Sequence, residues 1–160
     1  MPSTAKVQQY GKMVPILQEA TNIELTVSQH YWNRARYWKV QGIPKLAEMY
    51  GKEADEERGH AALVAERMLF LGQSPVLLPG QDKPVAGALR QQFEEDLAGE
   101  VAVADQYTEW VQTAMMEQDF VTMDVMKLIL EQTEEHALYL QDQLRLMDTL
   151  TDANYIQTWM

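Results

Sequence analysis

Cysteine is absent from this 160-residue chain, which excludes disulfide bonds, thiolate zinc sites and iron–sulfur clusters. Any metal would therefore be held by oxygen and nitrogen ligands. Basic residues are scarce as well, since 13 Lys and Arg stand against 24 Asp and Glu and give a formal net charge of −11. This balance argues against nucleic acid as a direct partner, because phosphate binding needs a basic surface, and it favours the attraction of cations.

Long apolar runs are missing too, and no stretch approaches the length of a membrane span. The first ten residues contain no apolar signal core, so we expect a cytoplasmic protein without a membrane partner. Glycine and proline number only 8 and 6, and Val and Ile do not cluster in alternating runs. With Ala, Leu, Met, Glu and Gln plentiful, this composition predicts a single all-α domain over residues 1–160.

Breakers in the sequence divide the chain into four long helices and one short helix. We expect the long helices at about 9–40, 44–72, 87–116 and 120–148, and the short fifth helix at about 153–159. Residues 73–86 contain Pro75, Pro79, Gly80 and Pro84 and are predicted to form an extended connection. Such a connection can cross from one end of a helix bundle to the other, which makes the second and third helices parallel.

Each long helix carries an apolar stripe that polar residues interrupt near its middle. The interrupting residues are Glu24 on the first helix, Glu57 and His60 on the second, Glu100 on the third and His136 on the fourth. Glu57 and His60 are three residues apart, so both side chains can reach a single point. A buried carboxylate needs compensation, either from a bound cation or from a buried salt bridge.

Three carboxylates and two imidazoles in one bundle core would repel and desolvate one another. A pair of divalent cations removes this problem. In helix bundles, a Glu from each of two helices with a Glu-x-x-His from each of the other two is the carboxylate di-iron pattern. Carboxylate and imidazole ligands suit iron or manganese, so the pattern favours a dinuclear metal centre.

The whole chain resembles the bacterioferritins, the ferritin-like iron-storage proteins of bacteria. The five polar positions keep the spacing of that family without gaps. The segments that carry the resemblance are Asn22-Ile23-Glu24-Leu25, Gln29-His30-Tyr31, Asp55-Glu56-Glu57-Arg58-Gly59-His60, Glu66-Arg67-Met68-Leu69-Phe70-Leu71-Gly72, Asp96-Leu97-Ala98-Gly99-Glu100 and Asn154-Tyr155-Ile156-Gln157.

The resemblance implies a ferritin-like four-helix bundle with a long crossover and a short fifth helix, assembled as dimers into a hollow 24-mer shell. Fe(II) would bind at a dinuclear centre, be oxidised by dioxygen or peroxide, and be stored inside the shell as ferric mineral. By position, Glu24 and His60 would hold one iron, Glu100 and His136 would hold the other, and Glu57 would bridge them.

Tyr31 and two departures from the family pattern complete the prediction. Tyr31 matches the family tyrosine beside the centre, a candidate one-electron donor or hydrogen-bond partner, and it could equally be a core aromatic.

The sixth ligand, a Glu three residues before His136, is Thr133 here, and Gln132 is the neighbour that could lean toward the site. We therefore expect at least one metal to bind weakly and oxidation to be slow or absent, unless water, hydroxide or an oxo group fills the gap. Arg58 stands where haem-binding members carry the axial Met, so haem is not expected.

The leading interpretation is an iron-storage ferritin with at least partial ferroxidase activity. The alternative is a ferroxidase-impaired structural subunit that co-assembles with an active or haem-binding bacterioferritin subunit, so the shell would be a homo-oligomer or a hetero-oligomer. A small di-metal oxidase or peroxidase related to rubrerythrin ranks lower, because Cys pairs are absent and the fifth helix is retained. A mini-ferritin of the starvation-protection type also ranks lower, because its ligands lie between subunits.

Overall fold

The helices predicted from the sequence are present in the computed structural model of the protein, which describes residues 9–160. They are α1 (Met13–Val40), α2 (Pro44–Phe70), α3 (Leu89–Met116), α4 (Phe120–Leu150) and α5 (Asp152–Gln157). Residues 1–8, which carry most of the N-terminal segment interpreted above as lacking a signal core, lie outside the described residues. Within the described residues, no helix is long and apolar enough to cross a bilayer.

Helix boundaries differ from the predicted ones by a few residues, for local reasons. α1 begins at Met13 rather than near residue 9, because Pro15 has no N–H to donate and is tolerated only in the first turn of a helix. α2 ends at Phe70 and is followed by Gly72 at a φ of 85°, a left-handed conformation that favours glycine. Thr151, at a φ of 67°, separates α4 from α5, and α5 ends at residue 157 rather than near residue 159.

The four long helices pack in two antiparallel pairs. α1 packs along α2 and α3 packs along α4, whereas α1 with α3 and α2 with α4 touch at fewer points. Residues 73–88 form neither helix nor strand and connect the pairs, so that α2 and α3 run parallel as predicted. The α1–α3 seam and the α2–α4 seam therefore lie on opposite faces of the bundle.

The crossover is held against α1 by polar side chains spaced four residues apart on that helix. In three pairs an α1 side chain bonds to the crossover backbone, and in the fourth it bonds to an aspartate. The bonded pairs are Gln18 with Val76, Asn22 with Leu78, Thr26 with Gly80 and His30 with Asp82, all between 2.7 and 2.8 Å. Each step of four residues on the helix thus meets two residues of the extended chain.

Apolar side chains fill the bundle in two clusters, one toward each end, and the polar stripe positions lie between them. One cluster includes Trp38, Leu46, Phe93, Leu140, Met147 and Tyr155, and the other includes Leu17, Val64, Tyr107, Trp110, Met126 and Ile129. Each of these side chains is at most 5% exposed. Because burying one such side chain stabilises the fold by roughly 1.5–3 kcal/mol, the two clusters can hold buried carboxylates in the layer between them.

Candidate metal centre

Five titratable side chains meet between the two apolar clusters, and every long helix contributes at least one. They are the five predicted ligands Glu24, Glu57, His60, Glu100 and His136. The first four are 1–5% exposed, and the side chain of His136 is 10% exposed. The structure therefore brings all the predicted ligand positions together. Glu53, about one turn before Glu57 on α2, is only half-buried, at the edge of this group.

The five side chains form two triads that share Glu57. One triad is Glu24, Glu57 and His60, and the other is Glu57, Glu100 and His136. In each triad the candidate ligand atoms lie within 4.8 Å of one another. A carboxylate common to both triads has two oxygens to offer, so the arrangement suits two cations with Glu57 between them.

His60 is oriented by a side chain on the opposite helix. Its Nδ1 lies 2.9 Å from Glu57 Oε2 and 3.6 Å from Glu24 Oε2, while its Nε2 lies 2.9 Å from Gln132 Oε1. An amide oxygen only accepts hydrogen bonds, so Nε2 carries a proton and donates it to Gln132. Nδ1 is then left facing the two carboxylates, which is the arrangement of a metal-ligating histidine with an outer partner. Gln132 thus leans toward the site as the sequence suggested, but onto His60 rather than into a ligand position.

His136 presents the same ring nitrogen to the other triad. Its Nδ1 lies 3.0 Å from Glu100 Oε1, and its Nε2 lies 3.4 Å from Glu53 Oε2. Within residues 9–160, this buried Nε2 has no hydrogen-bond partner. The two histidines therefore both turn Nδ1 inward, although only His60 has a firm partner behind it.

Two buried tyrosines hold the outer carboxylates of the triads. The Tyr31 hydroxyl donates to Glu100, and the Tyr107 hydroxyl donates to Glu24. Both tyrosines are at most 2% exposed. Of the two roles considered for Tyr31, the hydrogen-bond role is visible, and electron donation stays a prediction. The sequence analysis did not single out Tyr107, although its position two turns beyond Glu100 on α3 was the available signal.

The acids and bases of the centre shift one another's protonation. Burial raises the pKa of the Glu57 carboxyl above its ordinary value. Burial works to lower the pKa of His60, but the neighbouring Glu24 carboxylate and the hydrogen bond with Glu57 outweigh it and raise that pKa. Burial also opposes the charged form of His136, yet hydrogen bonding to Glu100 raises its pKa to about 8. Divalent cations would compete with these protons for the same atoms.

Thr133 occupies the position at which the family pattern has its sixth ligand, a Glu. It is 3% exposed, and its hydroxyl donates to the Ile129 carbonyl at 2.9 Å, inside its own helix. Its oxygen is therefore engaged with the backbone. Among the described residues, Glu57 is the only carboxylate that belongs to both triads.

Asp96 is a buried carboxylate beside the centre that sequence reasoning did not single out as a site residue. Its Oδ2 accepts from the Tyr50 hydroxyl at 2.9 Å, and its Oδ1 lies 3.0 Å from Arg34 Nη2 and 2.9 Å from His30 Nε2. Burial works to lower the pKa of His30, but hydrogen bonds with its aspartate partners outweigh it and raise that pKa. The position of Asp96, four residues before Glu100 on the same face of α3, was the signal that could have identified this aspartate.

Comparison with known proteins assigns the chain to one family. The family model described as ferritin-like domain matches residues 15–150. A bacterial ferritin of Synechocystis sp. is 32% identical over 138 residues, which cover 86% of this chain and 88% of the relative. A bacterioferritin of Mycolicibacterium paratuberculosis is 31% identical over 139 residues, which cover 87% of each chain.

A solved structure agrees with these relatives. The structure of Rhodobacter capsulatus bacterioferritin, with a metal-free dinuclear site and haem iron in a crystallographic special position, matches with a TM-score of 0.88. It is 28% identical in sequence and covers 92% of both chains. The chain therefore belongs to the ferritin family, alongside the bacterial ferritins and bacterioferritins.

Proposed function

We propose that the protein stores iron and that Fe(II) is its substrate at the centre described above. The observation that carries this proposal is the sharing of Glu57 by two buried carboxylate–imidazole triads. Such ligands suit iron, and a Glu with a Glu-x-x-His motif is how helix bundles build dinuclear carboxylate centres. The bacterial ferritins and bacterioferritins among its relatives support the same function. The cytoplasmic location predicted from the sequence belongs to this proposal.

Each side chain of the centre has a role in the proposed reaction. Glu24 and His60 hold one Fe(II), Glu100 and His136 hold the other, and Glu57 bridges them. Oxidation of two Fe(II) by one dioxygen takes up two protons and gives two Fe(III) and one hydrogen peroxide. The raised pKa of His136 makes it a group that holds a proton near neutral pH until a cation displaces it.

Storage requires assembly, and we propose a 24-mer shell built from dimers. Trp32 and Leu77 line one surface pocket and are 52% and 58% exposed, and Leu78 is 70% exposed, so this apolar surface suits contact with another chain. Arg58 is exposed as well and pairs only loosely with Asp55, at 3.6 Å. We propose that position 58 gives no axial haem ligand, and a Soret band from purified protein would contradict this. Light scattering should give a mass near that of twenty-four 18.4-kDa chains, whereas a monomer or simple dimer at all concentrations would remove the storage function.

A second candidate function rests on Thr133. With one bridging carboxylate fewer, two divalent cations are held by three carboxylates, and the weaker site limits oxidation. The chain would then be a structural subunit that shapes an iron store and co-assembles with an active bacterioferritin subunit. Five retained ligand positions favour the first candidate.

Anaerobic loading followed by oxygen tests the choice. Two equivalents of Fe(II) per chain are added to the metal-free shell, oxygen is admitted, and ferric absorbance is followed. A fast phase that saturates at this ratio would support the ferroxidase proposal and would show that five ligands suffice. Glu57→Gln should abolish it, because both triads lose their common ligand.

Glu66→Gln is the matched control, since it makes the same change of charge at an exposed position of the same helix. It should keep the fast phase. Oxidation by the wild type no faster than in buffer would contradict the ferroxidase proposal and leave the structural subunit as the better description.

A further inference from the structure

A cleft of about 230 Å³ lies on the α1–α3 seam, where the crossover forms its third side. Val27, Gly99 and Val103 form part of its wall, and the cleft reaches down to Tyr31 and Glu100. Gly99 is exposed, whereas Tyr31 and Glu100 are 2% and 3% exposed. The cleft therefore leads from the surface to the carboxylate that carries one side of the metal centre.

Carboxylates around this cleft are already engaged by other side chains. Asp82 bonds to His30 and Asn33, and Asp96 bonds to Tyr50, Arg34 and His30. Glu95 bonds to Gln91 and Arg34, and Glu100 bonds to Tyr31 and His136. The surface left to line the cleft is mostly apolar. A cation entering here would find few acceptor atoms unoccupied, whereas a small apolar molecule would lose nothing by leaving water.

The opposite seam, between α2 and α4, is lined by carboxylates, including some that no other side chain engages among the described residues. A cavity of about 190 Å³ between α2 and α4 is lined by Glu53, Glu56, Glu135 and His136. Among residues 9–160, no hydrogen bond or ion pair engages Glu56 or Glu135, and the Nε2 of His136 has no hydrogen-bond partner. Free carboxylates suit a cation rather than a neutral molecule. The centre is thus flanked by an acidic face on one side and an apolar face on the other.

We propose that the α1–α3 cleft binds dioxygen and admits it to the Tyr31–Glu100 side of the centre, separately from the acidic α2–α4 side. The inference rests on the proposed function, because dioxygen is the co-substrate of that reaction. Its size and lack of charge fit a mostly apolar cleft, and such cavities take up small apolar molecules and xenon. The cleft then sets the dependence of oxidation on oxygen concentration without holding iron itself.

Gly99 gives a direct way to close the cleft. Positions 96, 99, 100 and 103 of α3 share one helix face and all line the cleft, so a side chain at position 99 would project into it. A Cβ at Gly99 would meet no atom within 4 Å. Gly99→Ala should therefore be accommodated, and Gly99→Leu should fill part of the passage. Gly51→Leu on α2 is the matched control, because it is also a helical glycine with open space and lines none of these cavities.

Two measurements on the assembled protein test the inference. Crystals under xenon pressure should show xenon in the cleft of the wild type and of Gly51→Leu, and none in Gly99→Leu. In oxidation assays at varied oxygen, Gly99→Leu should raise the apparent KM for oxygen by about tenfold, with anaerobic Fe(II) binding and kcat unchanged. Gly51→Leu should stay near the wild-type value.

Failure of the inference can be told apart from failure of the proposed function. A cleft without xenon, or wild-type oxygen dependence in Gly99→Leu, would overturn the inference while leaving iron oxidation intact. Absence of iron oxidation in the wild type would contradict the proposed function, and xenon binding, which needs no iron, would still decide whether the cleft takes a small apolar molecule.

Discussion

Replacing Thr133 by Glu would give the centre the second bridging carboxylate that it lacks. Position 133 is buried one turn before His136, so the new side chain would face the same centre. In metal-free protein the change should destabilise the fold. The longer side chain overpacks its surroundings at a cost of ~1–3 kcal/mol, and loss of the bond to Ile129 costs ~1 kcal/mol. A fourth carboxylate beside three others adds to both.

Metal binding should offset part of this cost. If the sixth ligand tightens binding tenfold, saturating metal adds about 1.4 kcal/mol of stabilisation beyond that of the wild type. For a chain of this length, 1 kcal/mol moves the Tm by roughly 2–4 °C. Thr133→Glu should therefore melt several degrees below the wild type in EDTA and gain several degrees more than the wild type on addition of Mn(II), which oxygen does not oxidise under these conditions.

Scanning calorimetry of both forms measures these shifts, and Thr133→Gln is the control. The amide adds nearly the same volume without the charge, so it should share the overpacking cost but not the larger gain from metal. Equal metal-induced shifts for the Glu and Gln variants would refute the reasoning, because they would show that charge at position 133 does not reach the cations.

Two further predictions follow from buried hydrogen bonds. Tyr107→Phe removes the hydroxyl that donates to Glu24 and should lower metal-free stability by ~1–3 kcal/mol, seen as a lower Tm, whereas Tyr139→Phe, which loses no hydrogen bond within the described residues, should not. The pKa of His30 is raised in the folded state, so its stabilising contribution is complete below its unfolded pKa of about 6.5 and is lost as pH rises through the folded pKa. The metal-free wild type should thus lose more Tm between pH 6 and pH 8 than His30→Gln does, and parallel pH profiles would contradict this.

Helix periodicity was enough to predict which side chains meet in the core. On α1, Glu24 and Tyr31 are both buried, since i, i+3 and i+4 spacing decides which face of the helix turns inward. On α4, Thr133 is buried and His136 lies at the edge of the core, with its side chain 10% exposed. The five candidate ligand positions could therefore be expected in one core before any contact was known, because the periodicity of each helix can be read from the sequence of that helix alone.

Contacts between helices could not be predicted in this way. Periodicity tells which face Tyr107 occupies, but not that its hydroxyl reaches Glu24 on another helix. Likewise Gln132 faces the site at an angle that only the relative rotation of α2 and α4 determines, and this rotation turns it to His60. Such pairs depend on the packing of whole helices, which a single sequence does not encode locally.

The hydrogen bonds between α1 and the crossover also fix the number of residues in the crossover. Four residues of helix advance about 6.0 Å, and two residues of extended chain advance about 6.2–6.6 Å. From Gln18 to His30, the advance of α1 and the advance of the extended crossover differ by only about 1–2 Å in total. One residue inserted between positions 76 and 82 would turn the following N–H groups away from α1 and would move Asp82 off His30. This connection, which has no regular secondary structure, is therefore as constrained in length as a strand inside a sheet, and natural variation in its length should be confined to residues 83–88.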